Sequence, residues 1–452
     1  MSNIYQYYLN SFQDALRTRN LSERRIGAEL KFPLVNYDGS ACSLKKVEAL
    51  WSYLQSRGWA PVIDEMTGKV VGAKRPGEKN DTVASCETGY CKTEFSLAHV
   101  SNLFDLEMSV RELIEELSRF AEMNKVSFLG YGIQPLTRPG KHLQVKKGRS
   151  SVWDKVFESN RYIAKEDGDD FHLFTVNAAS HVHVSVLPDE AIPAVNVLNG
   201  FAGAQIALTA NSNIWKGRID PHYKCVSEKL WDWWMPDNGR TGVPKRPFRD
   251  MQAYIQTVAA FSPVFVFRSG KPIVLKNYQT FEEYFNHQNP SGFDMEGRKI
   301  QLKPEKTDFD LHCTCYWFNA RISRYFTVEN RVNDQQPPAD IITIPALTLG
   351  LVSARAEAWE ELSAYPWQTL HYTRAAACRK GLEATADSVK LSDLARKMLE
   401  LAERGLKRRG LGEEKFLHPL RERIHNNKSP ADEAEQLFKK GGITELVKKR
   451  KI

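Results

Sequence analysis

A chain of 452 residues with 42% hydrophobic side chains can bury one large core or two to three ordinary ones, which excludes an intrinsically disordered protein. The formal charge of +8 comes from 63 basic residues interspersed with 55 acidic ones, a mild excess that suits small anionic substrates such as nucleoside phosphates and sets no dense stretch aside for nucleic acid. No apolar run reaches the roughly 18 residues a bilayer span needs, so no membrane partner is expected.

Seven cysteines form an odd set without a signal peptide or a dense framework, which points to a reducing, cytoplasmic location. Cys86-x4-Cys91 and Cys313-x-Cys315 lack the spacing of zinc knuckles.

Residues 1–22 read as a polar amphipathic helix, and "RRIGAELKFPLV" as a strand rich in branched and aromatic side chains. A helix is expected over Leu44–Gln55, short strands around Trp59–Ala73, and a helix over Asp105–Lys125 with Leu106, Val110, Leu113, Leu117 and Phe120 on one side. "VSFLGYGIQP" reads as a buried strand ending at Pro135. The basic stretch Arg138–Asp170 reads as a solvated loop or a mobile flap that carries cations to an anionic ligand. "PDEAIPAVNVLNGFAGAQIALTA" is apolar on every side and reads as one buried helix, followed by strands at "PVFVF", "PIVL" and "RYFTVENRV".

Two more helices are expected near the C-terminus. The first carries Leu391, Leu394, Met398, Leu399 and Ala402 on one face and stops at Gly410. The second starts at Ser429-Pro430 and ends before Gly441, and "KKRKI" is expected as a solvated tail. These elements imply one unit over 1–452, with a sheet-rich core over 23–350, where any site is expected, and a helical packing region over 351–452.

The strand period of two sends His181, His183 and Ser185 of "ASHVHVSV" to one face and Val182, Val184 and Val186 to the other. On composition alone these imidazoles are either ligands or a polar strand face. By the same rule Glu29 and Lys31 share a face, as do Glu329 and Arg331, while Glu87 and Glu94 lie seven residues apart. Collected on one sheet, such carboxylates and an imidazole make a hard-cation site of the kind that holds magnesium against phosphate oxygens, with Arg331 as a fixed cation for a phosphoryl group.

The order of these pieces resembles the glutamate-cysteine ligases and their carboxylate-amine ligase relatives. The family's "IGxExE" is similar to "IGAELKF", its "ExGxxxELS" to "ETGYCKTEFS" with one inserted residue, and its "LGxGxxP" to "LGYGIQP". "HVHV" is present at His181–Val184, "ALxANSPFWxG" matches "ALTANSNIWKG", and "DRTG" compares with "GRTG". The spacing from "HLTT" to an arginine recurs from His312 to Arg321, and "EVRxxD" is similar to "ENRVND". "KGLEATADS" and "GLKRRGL" echo motifs of the family's C-terminal helices, so the resemblance runs from about Arg25 to the end of the chain.

The resemblance implies a glutamine-synthetase-like α+β fold: an antiparallel curved sheet forming an open funnel, helices outside, and ATP with Mg2+ at its floor. It implies Glu29, Glu87, Glu94, His181 and Glu329 as metal ligands and Arg331 as the catalytic arginine facing phosphate. Nucleotide or substrate contacts are implied for Lys31, His183, Asn211, Ser212, Lys229, Arg240 and His312.

Two departures bear on the substrates. Lys31 stands where the family has the second glutamate of "ExE", and Lys229 where it has the arginine of "SxR", so a fork-shaped guanidinium is replaced by a point charge. Lys31 can take over the task of one magnesium. The "LWDWW" run, Leu230–Trp234, is either core packing or a wall for adenine or substrate.

The expected reaction is ATP-dependent amide formation through an acyl phosphate, joining glutamate to cysteine. The alternatives are the same chemistry on another acid or amine, and a non-catalytic nucleotide-binding relative. The absence of "GxxxxGK[ST]" disfavours a P-loop kinase.

Overall fold

The computed structural model describes residues 2–17, 23–77, 80–156, 163–234 and 239–452. The strands of its largest sheet, in chain order, are β1 (Ile26–Asn36), β2 (Ala60–Ile63), β3 (Val70–Arg75), β4 (Thr82–Cys86), β5 (Lys92–Ser96), β6 (Val126–Phe128), β7 (Ala179–Ser185), β8 (Ala320–Ile322) and β9 (Thr327–Asp334). They form one sheet in the order β8-β9-β7-β1-β5-β4-β3-β2, with β6 beside the far half of β1. Every pairing in it is antiparallel. This is the α+β architecture expected.

The pleat gives the sheet two unlike faces. Ala28, Leu30, Phe32, Val182, Val184 and Val328 are buried beneath helices. Eleven of the helices, in chain order, are α1 (Ser2–Arg17), α2 (Leu44–Ser56), α3 (Leu103–Asn124), α4 (Gly148–Val156), α5 (Pro188–Gly200), α6 (Ala202–Thr209), α7 (Val226–Trp234), α8 (Thr343–Ser353), α9 (Trp367–Lys380), α10 (Leu391–Arg409) and α11 (Pro430–Arg450). Helix α8 packs on β7 and β1, α6 on β9, and α5 on β8 and β9. Helices α9 and α10 back α6, and α10 also packs on α8. The hydrophobic core is continuous from Ile4 to Val447.

Helix α3 carries the five expected apolar residues on its buried side, capped at its start by Asn102, whose side chain accepts the Asp105 amide. Helix α10 ends on left-handed Gly410, as the sequence implies.

Five expectations are corrected. "VSFLGYGIQP" is a strand only over Val126–Phe128; beyond it the backbone bonds elsewhere, Gly130 to the Arg450 carbonyl and Gly132 to the Asn211 carbonyl. The apolar run after Pro188 is two helices bent by 53°, not one. They part at Phe201, flanked by Gly200 and Gly203, where a Cβ would stand 2.7 Å from Leu362 and 2.3 Å from Thr373, so each half follows a different neighbour.

The Arg138–Asp170 stretch is not all loop, because it contains α4; residues 157–162 lie outside the described residues. The tail "KKRKI" is not fully solvated. Arg450 is 2% exposed, donating to Glu433 and to the Pro430 carbonyl, while Lys451 bridges to Leu129 and the Ile452 amide bonds Phe128. Helix α11 also continues past the expected stop, through a break at Gly441 and Gly442. Residues 18–22 of the expected first helix lie outside the described residues.

Candidate active site

The polar face of the sheet is the floor of a cavity of about 1520 Å3. Register decides which side chains meet there, because residues opposite one another on adjacent strands are nearest neighbours. Arg321 lies opposite Glu329, Glu329 opposite His183, His181 opposite Glu29, and Lys31 opposite Glu94. Three of these pairs span β8, β9, β7 and β1, and the fourth joins β1 to β5, so one row of ionisable groups crosses five strands.

Glu329 is held between two guanidinium groups. Arg321 Nε donates to Oε2 at 2.7 Å, and Arg331 Nη1 donates to Oε1. Burial pushes the Glu329 carboxyl up, but Arg321 and Arg331 overcome it and hold it well below the usual carboxylate range. His183 shares its Nε2 with Glu29 Oε1 at 3.1 Å and its Nδ1 with Thr327 Oγ1 at 2.9 Å. Burial lowers His183, yet the Glu29 hydrogen bond and charge raise it above the ordinary histidine value.

His181 Nδ1 bonds Glu29 Oε2 at 3.2 Å and lies 3.7 Å from Glu329. Burial, then Lys31 and Arg331, lower His181 to about 3, so it stands as a neutral imidazole. Ligand atoms of Glu29, His183 and Glu329 lie within 4.8 Å of one another, two carboxylates and one imidazole in the arrangement a divalent cation takes.

The other half of the floor surrounds Lys31. Its ammonium lies 3.0 Å from Glu87 and 3.5 Å from Glu29, and donates directly to Glu94. Burial raises the Glu94 carboxyl to about 8 against the pull of Lys31, while Glu29 and Glu87, pushed up by burial, are drawn well below the usual range by Lys31. Lys92, buried beside them, donates to the Phe174 carbonyl at 3.0 Å and to Asn177 at 2.9 Å. Its burial lowers it to about 8.

Thus eight of the residues expected at the site share one cavity: Glu29, Lys31, Glu87, Glu94, His181, His183, Glu329 and Arg331. The expected ligand set falls into two clusters that share Glu29, and the three-residue donor group includes His183 in place of His181.

Five others lie elsewhere. Asn211 donates to the carbonyls of Gly130 and Gln335, and Ser212 to Asp334, all in the scaffold. Lys229 pairs with Asp232 at 3.1 Å beside the Tyr223 and Trp233 rings. Arg240 donates to the Cys315 carbonyl and to Ser262. His312 bonds the Val258 carbonyl at 2.8 Å and stacks on Phe281 in the core.

Sequence reasoning missed Arg321 and Lys92 as site residues, although both lie in strands at cavity-facing positions of the period-two pattern. It also missed Trp153, Phe174 and Trp317 in the cavity roof, where Trp317 stands 6.0 Å from Trp153, 5.7 Å from Trp231 and 5.2 Å from Trp234, and Phe174 stands 4.1 Å from Trp231. Of the "LWDWW" run, Trp231 and Trp234 line the cavity, while Trp233 packs against Trp215 and Tyr223. The Arg138–Asp170 stretch contributes Lys147, Arg149 and Trp153 to the cavity.

A large antiparallel sheet with a floor of carboxylates and cations agrees with the class to which the comparisons assign the chain, the ATP-dependent carboxylate-amine ligases. The model of Glutamate-cysteine ligase family 2 (GCS2) matches residues 47–449, and the chain belongs to that family. It is 25% identical over 353 residues to the chloroplastic glutamate-cysteine ligase of Medicago truncatula, covering 76% of this chain and 66% of that one. It is 25% identical over 402 residues to the Brassica juncea enzyme, covering 86% and 72%. The chain therefore spans about two thirds of the length of these relatives.

Among solved structures it shares its fold with the glutamate-cysteine ligase of Francisella tularensis in complex with AMP. The TM-score is 0.57 at 12% identity, over 95% of this chain and 87% of that one. A bifunctional glutathione synthetase from Pasteurella multocida gives a TM-score of 0.50 at 12% identity, over 97% and 52%.

Proposed function

We propose that this protein joins glutamate to cysteine, forming γ-glutamylcysteine at the expense of ATP. The observation that carries the reading is the donor group Glu29, His183 and Glu329 on the cavity floor, with Arg321 and Arg331 beside it. The cavity of about 1520 Å3 exceeds the several hundred Å3 a single small ligand occupies, so a nucleotide and two small substrates can meet in it.

The charges fit a triphosphate with a divalent cation. Four floor carboxylates, Glu29, Glu87, Glu94 and Glu329, face four cationic side chains, Lys31, Lys92, Arg321 and Arg331, leaving the wall nearly neutral toward a polyanion. Glu29, His183 and Glu329 would hold Mg2+, which when bound would offset phosphate charge.

The substrate carboxylate attacks the γ-phosphorus, the bond to the bridging oxygen breaks, and ADP leaves with that electron pair. Arg331 is the guanidinium placed to follow the charge on the transferring oxygens, and Glu329 holds its direction. The amine then attacks the acyl carbon, phosphate departs with the oxygen that a free carboxylate cannot release, and the amine nitrogen gives up a proton to become the amide. The aromatic roof keeps water from the acyl phosphate.

The test is release of ADP and phosphate with magnesium-ATP and glutamate, with and without cysteine, products read by mass spectrometry. A γ-glutamylcysteine mass that disappears in Glu329→Ala supports the reading. ADP release with another product keeps the chemistry and changes the substrates.

A second reading has the same chemistry on a bulkier amine. The group Trp153, Phe174, Trp231, Trp234 and Trp317 offers far more ring surface than a thiol side chain needs. Preference for an aromatic or long aliphatic amine over cysteine, in direct competition, selects this reading.

A further inference from the structure

The three carboxylates around Lys31 arrive from separate places: Glu29 from the same strand two residues away, Glu94 from the facing position on β5, and Glu87 from just past the end of β4. All three reach the Nζ atom, two at 3.0 and 3.5 Å and the third in direct hydrogen bond. Carboxylate oxygens that converge on one point form the donor set of a hard divalent cation. Here that point is taken by an ammonium tethered to the floor, whose side chain is only 7% exposed.

An ammonium has three N–H donors, and three carboxylates surround this one. Two of its donors are spent on Glu87 and Glu94, and the third has Glu29 3.5 Å away, so the ammonium is turned toward the cage and away from a phosphate or substrate oxygen. A metal ion in the same place would keep coordination positions for such oxygens and would exchange with solvent; the lysine does neither. Lys92, 3.9 Å from Glu87, adds a second fixed positive charge to the same cluster.

We propose that Lys31 is a built-in replacement for a divalent cation, so that the protein loads one metal ion on its floor, at Glu29, His183 and Glu329, and keeps the Glu29, Glu87 and Glu94 cage closed to metal. The cage then balances charge and fixes β1 against β5, and every substrate oxygen is handled from the His183 and Arg331 half of the floor. The inference rests on the reading of Glu29, His183 and Glu329 as a cation site, but it concerns the number of ions and is independent of which amide is made.

Mn2+ counted by equilibrium dialysis and by electron paramagnetic resonance, on the full chain without nucleotide, tests it. Lys31→Met removes the ammonium and leaves the three carboxylates. It is expected to bind one Mn2+ per chain more than the wild type, and adding Glu87→Gln to it is expected to remove that extra ion. Mn2+ should also raise the melting temperature of Lys31→Met more than that of the wild type.

In the wild-type background Glu87→Gln should leave the Mn2+ count unchanged, a measurement that stands even if Lys31→Met does not fold. An equal count in folded Lys31→Met and wild type overturns the proposal, as does loss of an ion from Glu87→Gln alone. A wild type that shows these counts but makes no amide product overturns the ligase reading and leaves this one in place.

Discussion

Two buried carboxylates five residues apart on β9 are treated in opposite ways. Glu329 is clasped by Arg321 and Arg331, and its pKa is held far down. Asp334 is met by uncharged donors: the Asn211 amide at 2.6 Å, the Ser212 hydroxyl at 2.7 Å, the Ser227 hydroxyl and the Cys225 thiol. Burial pushes Asp334 up, and those hydrogen bonds only partly counter it. The first carboxylate faces a cavity, and its cations remain within reach of a ligand. The second is sealed by α7 and the loop before it, and all its donors are spent on scaffold. Both carboxylates lie at spots that sequence motifs mark, but only one faces open space.

Substitutions at the two places should separate chemistry from stability. The largest expected effect is at Arg331: Arg331→Met should lower kcat for nucleotide turnover about 100-fold or more, the order seen when a preorganised charge partner of a transition state is removed. Its thermal melt should stay close to that of the wild type, because Arg321 still pairs with Glu329.

Asp334→Ala should show the reverse pattern. Four donors lose their acceptor in a closed space, and a loss of about 3 kcal/mol in chemical unfolding is expected, with a smaller loss for Asp334→Asn. If Asp334→Ala melts like the wild type and loses turnover, the division between site and scaffold is drawn in the wrong place.

On the cavity roof, Trp317→Ala should raise the KM for the amine about 10-fold, near 1.4 kcal/mol, with the KM for ATP unchanged. A rise in the ATP KM instead assigns the ring to adenine.

The smallest effect is at His312, which lies in the scaffold. Burial lowers it to about 3. Below pH 6.5 the unfolded chain takes up a proton that the folded chain refuses, so stability falls as the pH drops. Near pH 5.5 this amounts to about 1 kcal/mol, and His312→Gln should flatten that part of the stability profile.

The floor was legible because strands obey a period of two. Glu29 with Lys31, His181 with His183, and Glu329 with Arg331 each share a face by arithmetic alone, and all six face the cavity. The arithmetic does not say which polar side chains will be covered by other segments. Asn211 and Ser212 follow an apolar helix and look like ligand contacts, yet they serve Gly130, Gln335 and Asp334, residues more than 75 positions away in the chain. Arg321 escaped notice as a site residue because β8 has only three residues, too few to show a pattern.

The tryptophan roof comes from three separated stretches, and nothing local marks their meeting. The same holds for the bend at Phe201, set by Leu362 and Thr373, and for buried Arg450, whose partner Glu433 lies 17 residues earlier on α11.

The pairing of β9 with β7 contains one irregularity. Asn330 faces Val182 and Asn333 faces Ser180, so two residues of β9, Arg331 and Val332, stand against His181 alone. That extra residue turns Asn333 down to Gln205 and Thr209 and brings Asp334 to its own ring of donors. Taking out Val332 would act like a frameshift of the pleat: Glu329 and Arg331 would keep their side, while the two residues after them would change places. One residue of surplus length thus lets a single strand supply a reactive face over its first half and a structural anchor at its end.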